Sequence, residues 1–490
     1  MTAVRRVVVA GAAATLLLAP ADAGAARLVR AKPGLKPSFQ TAMPDYTVRC
    51  RSGTPVRFAI DAPSGTTVAV DGGPARSGSF EAPVSLAPGR RASIRVKSSA
   101  AARNYSVRCV PADFPRWRAK RYARPQAAFY LLTPNDNRAI PNYVTVVDSY
   151  GVPIWWMRSA VPPFDGHLLP NGDIAWNRWV GNSPEAGPFE EHALDGRLVR
   201  NWSTVGHTTN QHDLQVLPNG NALMISYPPR DHVDLSPWRG PKDATVLDGE
   251  IQEVTPSGGL AWSWSTEDHL ALSETGRWMD VVLFKNRPIH LADGRTAWDV
   301  VHMNSVEPVG DGGKLLFSAR YEDAAYLIDK ASGKVIWKLG GRQTKKSLRL
   351  VGDDLPASKE FGGSHDARDP KGDGSVITLY DNGTLRNRPP RVVAFRIDVA
   401  KRTAKLIRSV SFGPAKESVC CGSARMLPGG NWVVAWGHTP WVTEQTGSGE
   451  RVFTLQFESD IMMSYRAEPI LPGRLSRSAL RLGMDAMGGG

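Results

Sequence analysis

From about Pro37 to Val110 apolar and polar residues alternate in short runs, YTVRC, PVRFAI, TTVAV, ASIRVK and NYSVRC, broken by Gly, Pro, Ser and Asp. A period of two puts successive side chains on opposite faces of a strand, so each run reads as a half-buried strand. No helix-period segment interrupts them, and residues 37–115 are expected to form a small Ig-like β-sandwich domain, with PADFPRW as the linker that follows. Beyond residue 120 two hairpin signatures take turns. One is strand, Pro/Gly/Asn turn, strand: GHLLPNGDIAWN, LQVLPNGNALMIS, NSVEPVGDGGKLLFS, ARDPKGDGSVITLY, ARMLPGGNWVVAWG. The other turns on Asp or Ser with Gly and carries Trp in its second strand, as in YVTVVDSYGVPIWWM, EHALDGRLVRNW, IQEVTPSGGLAWSW and YLIDKASGKVIWKL, with degenerate versions near residues 392 and 453.

Two hairpins make one four-stranded blade. Five copies of the first signature and six of the second, the extra one at the amino-terminal end, predict an all-β six-bladed β-propeller over 120–475 with one blade built from both chain ends. Residues 476–490 are left as a tail. Insertions such as STEDHLALSETGRWMDVVLFKNRP are expected to lay loops or a short helix over one face.

Composition narrows the setting. With 490 residues, 42% of them apolar, the chain has ample core for two domains, and a mean hydropathy of −0.27 fits a globular protein. Residues 1–26 have a basic start, an apolar stretch and two overlapping small-residue sites, Ala21-Asp22-Ala23 and Ala23-Gly24-Ala25, which read as a cleaved signal peptide and a secreted or periplasmic product. Arg5-Arg6 lacks the flanks that would mark twin-arginine export. No later apolar segment approaches the roughly 20 residues that span a bilayer, so no transmembrane segment is expected in the mature chain. Four cysteines suit an oxidising compartment. Cys50 and Cys109, each after Val-Arg at opposite ends of the first β-rich stretch, would clip it shut. Cys420 and Cys421 are adjacent, either as a vicinal disulfide or as two buried thiols. Formal net charge is +13, or +12 once Arg5, Arg6 and Asp22 leave with the signal peptide. The basic residues are scattered and lack aromatic interleaving, which argues against nucleic acid and for a small anionic substrate.

The chemistry sits in three copies of the first signature. HDLQVLPNGNALMISY, HMNSVEPVGDGGKLLFSAR and HDARDPKGDGSVITLY place His212, His302 and His365 five or six residues before the turn. The first strand of a blade lines the central channel, so all three belong at one mouth. With the middle turn centred near Asp311, antiparallel pairing brings Arg320 beside His302, and alternation sends Asn304 to the same face as His302. The same count sets Tyr227 opposite His212 and Tyr380 near His365, and turns Asp213 and Asp366 away as packing acceptors. Trp176, Trp179, Trp436, Trp441, Tyr227 and Tyr380 are candidates to stack on an aromatic ring, and His438 is a candidate for the rim. Imidazoles beside one guanidinium and one amide suit an anion carrying an aryl group. Arg donates in a fork that fits two oxygens, and neighbouring cations keep an imidazole neutral and nucleophilic.

The HD…LPNGN element, the H-x-N-S-V element with Arg eighteen residues after its His, and SHDA…YDNG together resemble the bacterial arylsulfate sulfotransferases, PAPS-independent six-bladed propellers with an amino-terminal β-sandwich. The resemblance spans roughly residues 120 to 470. It implies a small-molecule aryl sulfate donor, a phenolic acceptor, and ping-pong transfer with His365 becoming a transient sulfohistidine. His212, His302, Asn304 and Arg320 would bind the sulfuryl oxygens, and His302 or His212 would shuttle the phenolic proton. It implies no metal, nucleotide or other cofactor. The chain departs from the family in having adjacent Cys420 and Cys421 for its paired cysteines, and Gly422 in the histidine slot of the fifth copy. Two other readings compete. Three imidazoles with an open position are a known hydrolytic zinc arrangement, although Arg320 would repel the ion. A non-catalytic propeller that binds a partner on one face is the other.

Overall fold

The computed structural model describes residues 28–488, apart from 52, 137–141, 181–186, 287 and 357–359; the signal-peptide reading lies outside the described residues. The chain divides into two compact units. The first runs to Ala87 and resumes at Arg91–Cys109, and the second takes Pro88–Arg90 and everything from Val110 onward.

The first unit holds a three-stranded sheet (Val29–Lys32, Val56–Ala62, Gly78–Val84) and a four-stranded one (Asp45–Arg49, Ala102–Val110, Arg91–Lys97, Thr67–Val70). Alternate residues Val56, Phe58, Ile60 and Ala62 are buried on one, and Ala92 and Ile94 on the other. Cys50 and Cys109 are disulfide-bonded with their Cα atoms 5.6 Å apart.

The second unit is a propeller of six four-stranded blades whose first strands ring a central channel. From channel to rim, blade 2 is Pro163–Leu168, Ile174–Arg178, Phe189–His192 and Leu198–Trp202, and blade 3 is Thr209–Val216, Ala222–Ser226, Glu250–Val254 and Leu260–Ser265. Blade 4 is Met303–Val309, Lys314–Ala319, Ala324–Asp329 and Val335–Gly340. Blade 5 is His365–Arg368, Val376–Asp381, Arg391–Asp398 and Thr403–Val410, and blade 6 is Ser423–Met426, Trp432–Ala435, Trp441–Gln445 and Arg451–Phe457. Blade 1 takes its inner strand, Met463–Ile470, from the far end of the chain and its other three, Phe129–Asn135, Asn142–Asp148 and Pro153–Ser159, from the near end. The LPNG and LPGG turns close on left-handed glycines, with φ of 90° at Gly172, 84° at Gly220 and 88° at Gly430, where a Cβ would be strained. Rows of apolar side chains weld neighbouring blades. Leu316 and Trp337 of blade 4 share a core with Leu379 and Phe395 of blade 5. Losing an indole of this kind costs about 3–5 kcal/mol.

Three local readings change. PADFPRW is packed rather than a free linker: Phe114 meets the rings of Trp117, Tyr143 and Trp156, and Trp117–Arg121 adds a fifth strand to the rim of blade 6. The tail forms a helix, Arg477–Met487, capped by the Ser476 side chain and burying Leu480 and Met484. The insertion after blade 3 does contain a short helix, Trp278–Phe284, and also strands 289–290 and 296–299, which join 229–233 and 244–247 in an extra sheet against blades 3 and 4. Among the described residues no helix is long and apolar enough to cross a membrane.

Five of the six inner strands break register at the same level, between Phe164 and Gly166, Thr209 and Leu214, Met303 and Ser305, His365 and Arg368, and Ser464 and Ala467. A bulge leaves one residue unpaired and re-aims its side chain. Below the histidines these bulges assemble a buried ionic belt. Arg466 of blade 1 reaches Asp165 of blade 2 at 2.9 Å, Asp213 of blade 3 at 3.2 Å and Asp366 of blade 5 at 3.3 Å. Arg368 bridges Asp213 (2.7 Å) and Asp366 (2.8 Å), and Arg425 of blade 6 adds a contact to Asp366 at 3.0 Å. Burial opposes ionisation of these carboxyls, and the arginines overcome it, holding Asp213 and Asp366 below the usual carboxylate range.

Candidate functional site

The propeller brings the three histidines to one mouth of the channel. His212 lies in the bulged stretch of the blade 3 inner strand, His302 immediately precedes that of blade 4, and His365 begins that of blade 5. The rings of His212 and His302 are 5.0 Å apart, edge to face. Met303 pairs with Ala319, and the Arg320 amide donates to the His302 carbonyl at 3.0 Å, so Arg320 is delivered beside His302. His365 pairs with Tyr380 across its hairpin, and the Tyr227 hydroxyl sits 3.2 Å from His212 Nδ1. Simple alternation fails at Asn304, because the Met303/Ser305 bulge intervenes and His302 itself is left-handed, at φ 54°. Such a backbone costs a β-substituted residue about 1–3 kcal/mol and persists where the surroundings enforce it.

What separates the three imidazoles is the partner of Nδ1. That of His302 meets a carboxylate, Asp299 Oδ2, at 2.5 Å, while the His302 amide donates to Asp299 Oδ1 at 2.9 Å. That of His212 meets the Asn210 side-chain oxygen. That of His365 faces two acceptors, the Gly363 carbonyl and Asn382 Oδ1, each at 2.8 Å. Two acceptors require the proton on Nδ1, so His365 Nε2 carries the lone pair, and the Cys421 amide donates to it at 3.2 Å. Burial, then the charges of Arg320 and His302, hold the His365 pKa well below the ordinary imidazole value. Burial and the other two histidines do the same for His212. Both rings are neutral near pH 7.

Arg320 is held by the Val419 carbonyl at 2.6 Å and stacks between Trp278 and Tyr321, its guanidinium carbon 4.8 and 4.9 Å from their ring centres. Its buried Nε has no protein acceptor. Asn304 is fully buried; its Nδ2 donates to the Ser364 carbonyl at 2.9 Å and its Oδ1 accepts from Ser318 at 2.6 Å, tying blade 4 to blade 5 next to His365. Cys420 and Cys421 form a vicinal disulfide, and with Phe164, Trp179, Met463 and Tyr465 they make an apolar wall. Phe164 stacks on Tyr465 at 4.1 Å, and Tyr465 lies 5.7 Å from His212. Of the aromatic candidates, Tyr227 touches the histidines and Trp179 stands in the apolar wall. Trp176 instead stacks on His192 inside blade 2, and Trp436 and Trp441 pack on Phe412.

Asp299, Asn210 and Asn382 escaped the reading of the chain. Each lies close to its histidine in sequence or in a quoted motif, WDVVH, NQH and YDNG, but only the folded turn shows which atom it meets. Among the described residues the one set of ligand atoms gathered tightly enough for a metal is Asp165, His167 and Asp213, not the three histidines. Arg466 already lies on both of those carboxylates, so a cation there would be repelled.

The arylsulfotransferase (ASST) family matches residues 196–458, more than half of the chain. No curated protein matches it. Among solved structures, the periplasmic gluconolactonase PpgL of Pseudomonas aeruginosa is 13% identical with a TM-score of 0.43, over 70% of this chain and 99% of that one. A putative 6-phosphogluconolactonase of Bacteroides fragilis is 11% identical with a TM-score of 0.34, over 83% and 98%. The β-propeller domain of Myceliophteria thermophila Cps50 (Swd1) is 10% identical with a TM-score of 0.33, over 70% and 90%.

Proposed function

The chain belongs to the arylsulfotransferase family, and from that premise we propose that it moves a sulfuryl group from an aryl sulfate to a phenol by a ping-pong route through His365. The observation that carries this reading is the fixed tautomer of His365: Nδ1–H is spent on Gly363 and Asn382, leaving Nε2 as a neutral nucleophile beside Arg320. Nε2 attacks sulfur, the bond to the aryl oxygen breaks, and the electron pair leaves with that oxygen. His302, entering as an imidazolium whose Nδ1–H is held by Asp299, gives its Nε2 proton to the departing phenolate and is left neutral. A phenol has a pKa of about 10, so this proton lowers the barrier at neutral pH. In the second half His302 takes a proton from the acceptor phenol, whose oxygen attacks sulfur and returns the lone pair to His365.

Arg320, with an unpartnered Nε, donates to the sulfuryl oxygens. The Cys421 amide donates to the Nε2 lone pair in the resting site, gives up that contact when sulfur bonds there, and is then free to donate to a sulfuryl oxygen. Asn304 supports the cradle from behind by holding Ser364. The aryl ring rests against Phe164, Tyr465 and the vicinal disulfide. Two formed disulfides agree with a secreted or periplasmic location. Incubation with p-nitrophenyl sulfate and phenol tests the reading. A single burst of nitrophenol without acceptor, and sustained turnover that needs the acceptor, both lost in His365→Ala, support transfer; sustained turnover that ignores the acceptor, or release that survives that change, refutes it.

A further inference from the structure

Three residues after Arg320 the chain turns through a left-handed residue, Asp323 at φ 51°, whose buried carboxylate gathers the surrounding segments. From the insertion after blade 3 it accepts Arg277 Nε at 2.6 Å, Arg277 Nη2 at 3.0 Å and the Trp278 indole N–H at 2.7 Å. From the segment before blade 5 it accepts the Gly363 amide at 2.7 Å, and from the loop between the second and third strands of blade 5 Arg386 approaches at 3.4 Å. Each partner leads to a reacting group. Trp278 is the ring on which Arg320 stacks. Gly363 supplies the carbonyl that fixes His365 Nδ1, and its backbone is pinned on either side, by Asp323 at its own amide and by Asn304 at the Ser364 carbonyl. Gly363 itself lies against the Trp278 ring, where a Cβ would come within 3.3 Å.

We propose that Asp323 is a positioning residue for sulfuryl transfer, one carboxylate that sets the tautomer of His365 through Gly363 and the plane of Arg320 through Trp278. The inference rests on the transferase reading above for its consequence, though not for its geometry. Arg277 donates to both carboxylate oxygens and holds the group in one orientation, in which Oδ1 also accepts the indole and the Gly363 amide. Asn at 323 would turn its N–H either toward Arg277 Nε, loosening the clamp that orients the group, or toward the donors on Oδ1, freeing Trp278 and Gly363. Groups that orient reacting residues from behind typically matter by 10–100-fold.

Two readouts test this in the whole protein. In Asp323→Asn, nitrogen-15 NMR of the His365 ring is expected to change from a single Nδ1–H form to a mixture. The nitrophenol burst from p-nitrophenyl sulfate is expected to slow about 10–100-fold with KM changed less than about threefold. A folded Asp323→Asn protein that keeps the single tautomer, or whose loss lies only in KM, overturns the proposal. If that variant does not fold, Trp278→Phe decides, since it removes one donor to Asp323 and keeps a ring under Arg320. A burst slowed several-fold supports the proposal, and an unchanged burst overturns it. Wild-type protein that shows no acceptor-dependent release would instead fail the transferase reading, and the NMR result would still stand as a test of the positioning.

Discussion

At the scale of single residues, the three histidines are chemically unlike because their Nδ1 partners differ: a carboxylate for His302, an amide oxygen for His212, a carbonyl and an amide oxygen for His365. Asp299→Asn keeps the shape of the turn and removes the charge behind His302, so kcat should fall about 10²–10⁴-fold while donor KM changes little. A steady-state comparison with a phenol acceptor checks this. The depressed pKa of His365 gives a pH prediction. A histidine with a lowered pKa stays neutral as pH falls through the usual value near 6.5, so protonation of the nucleophile should not limit the nitrophenol burst until well below that value. A burst that falls with a midpoint at 6.5 or higher would contradict the burial argument. His212, His302, His365 and Arg320 were legible in the sequence because repetition and hairpin counting suffice to place them. Asp299 and Asp323 were not, because each acts through a left-handed turn, at His302 and at Asp323 itself, that no alternation rule reports.

At the scale of elements, strands and turns follow from the alternating pattern and the LPNG turns, whereas the inner-strand bulges do not. Four of them hold charged side chains, Asp165, Asp213, Asp366 and Arg466, that meet across the channel, and the fifth holds Asn304, so they are a property of the inner strands together. For the same reason Trp117–Arg121 was hidden: WRAKR has little apolar alternation, and it becomes a strand only against the rim of blade 6. The turn that carries Arg320 also carries Glu322, whose pKa burial pushes up to about 7 against the pull of Lys338. Its hydroxyl partner is Tyr326, and the second carboxylate nearby, Glu274, holds Lys338 at 2.7 Å. A raised carboxyl pKa means that the folded state keeps a proton the unfolded chain gives up. The contribution of Glu322 is therefore full below about 4.5 and is lost as pH rises to about 7. Relative to wild type, Glu322→Gln should gain stability across that window, by up to about 3 kcal/mol, as read by thermal unfolding at pH 5 and pH 8. A difference that does not change with pH would contradict it.

At the scale of the whole molecule, the propeller is closed by its last strand, and that strand carries Arg466. This one side chain contacts carboxylates from blades 2, 3 and 5, so closure and the ionic floor of the site are one construction. Arg466→Met keeps the length of the side chain and leaves those buried charges short of a cation, which should cost about 3–5 kcal/mol. A thermal midpoint within a degree or two of wild type would show that the belt is not needed for closure. Hairpin counting anticipated a blade shared by both chain ends, but the belt required the structure, since Asp165 and Arg466 lie 301 residues apart.

The most direct test is to find where the sulfuryl group rests between the two half-reactions. The protein is mixed with sulfur-35-labelled p-nitrophenyl sulfate without acceptor, quenched at alkaline pH, digested and mapped by mass spectrometry. Label is expected on Nε2 of His365 and should disappear when phenol is added before the quench. Label on another residue, or nitrophenol released with no labelled histidine, would contradict transfer through His365.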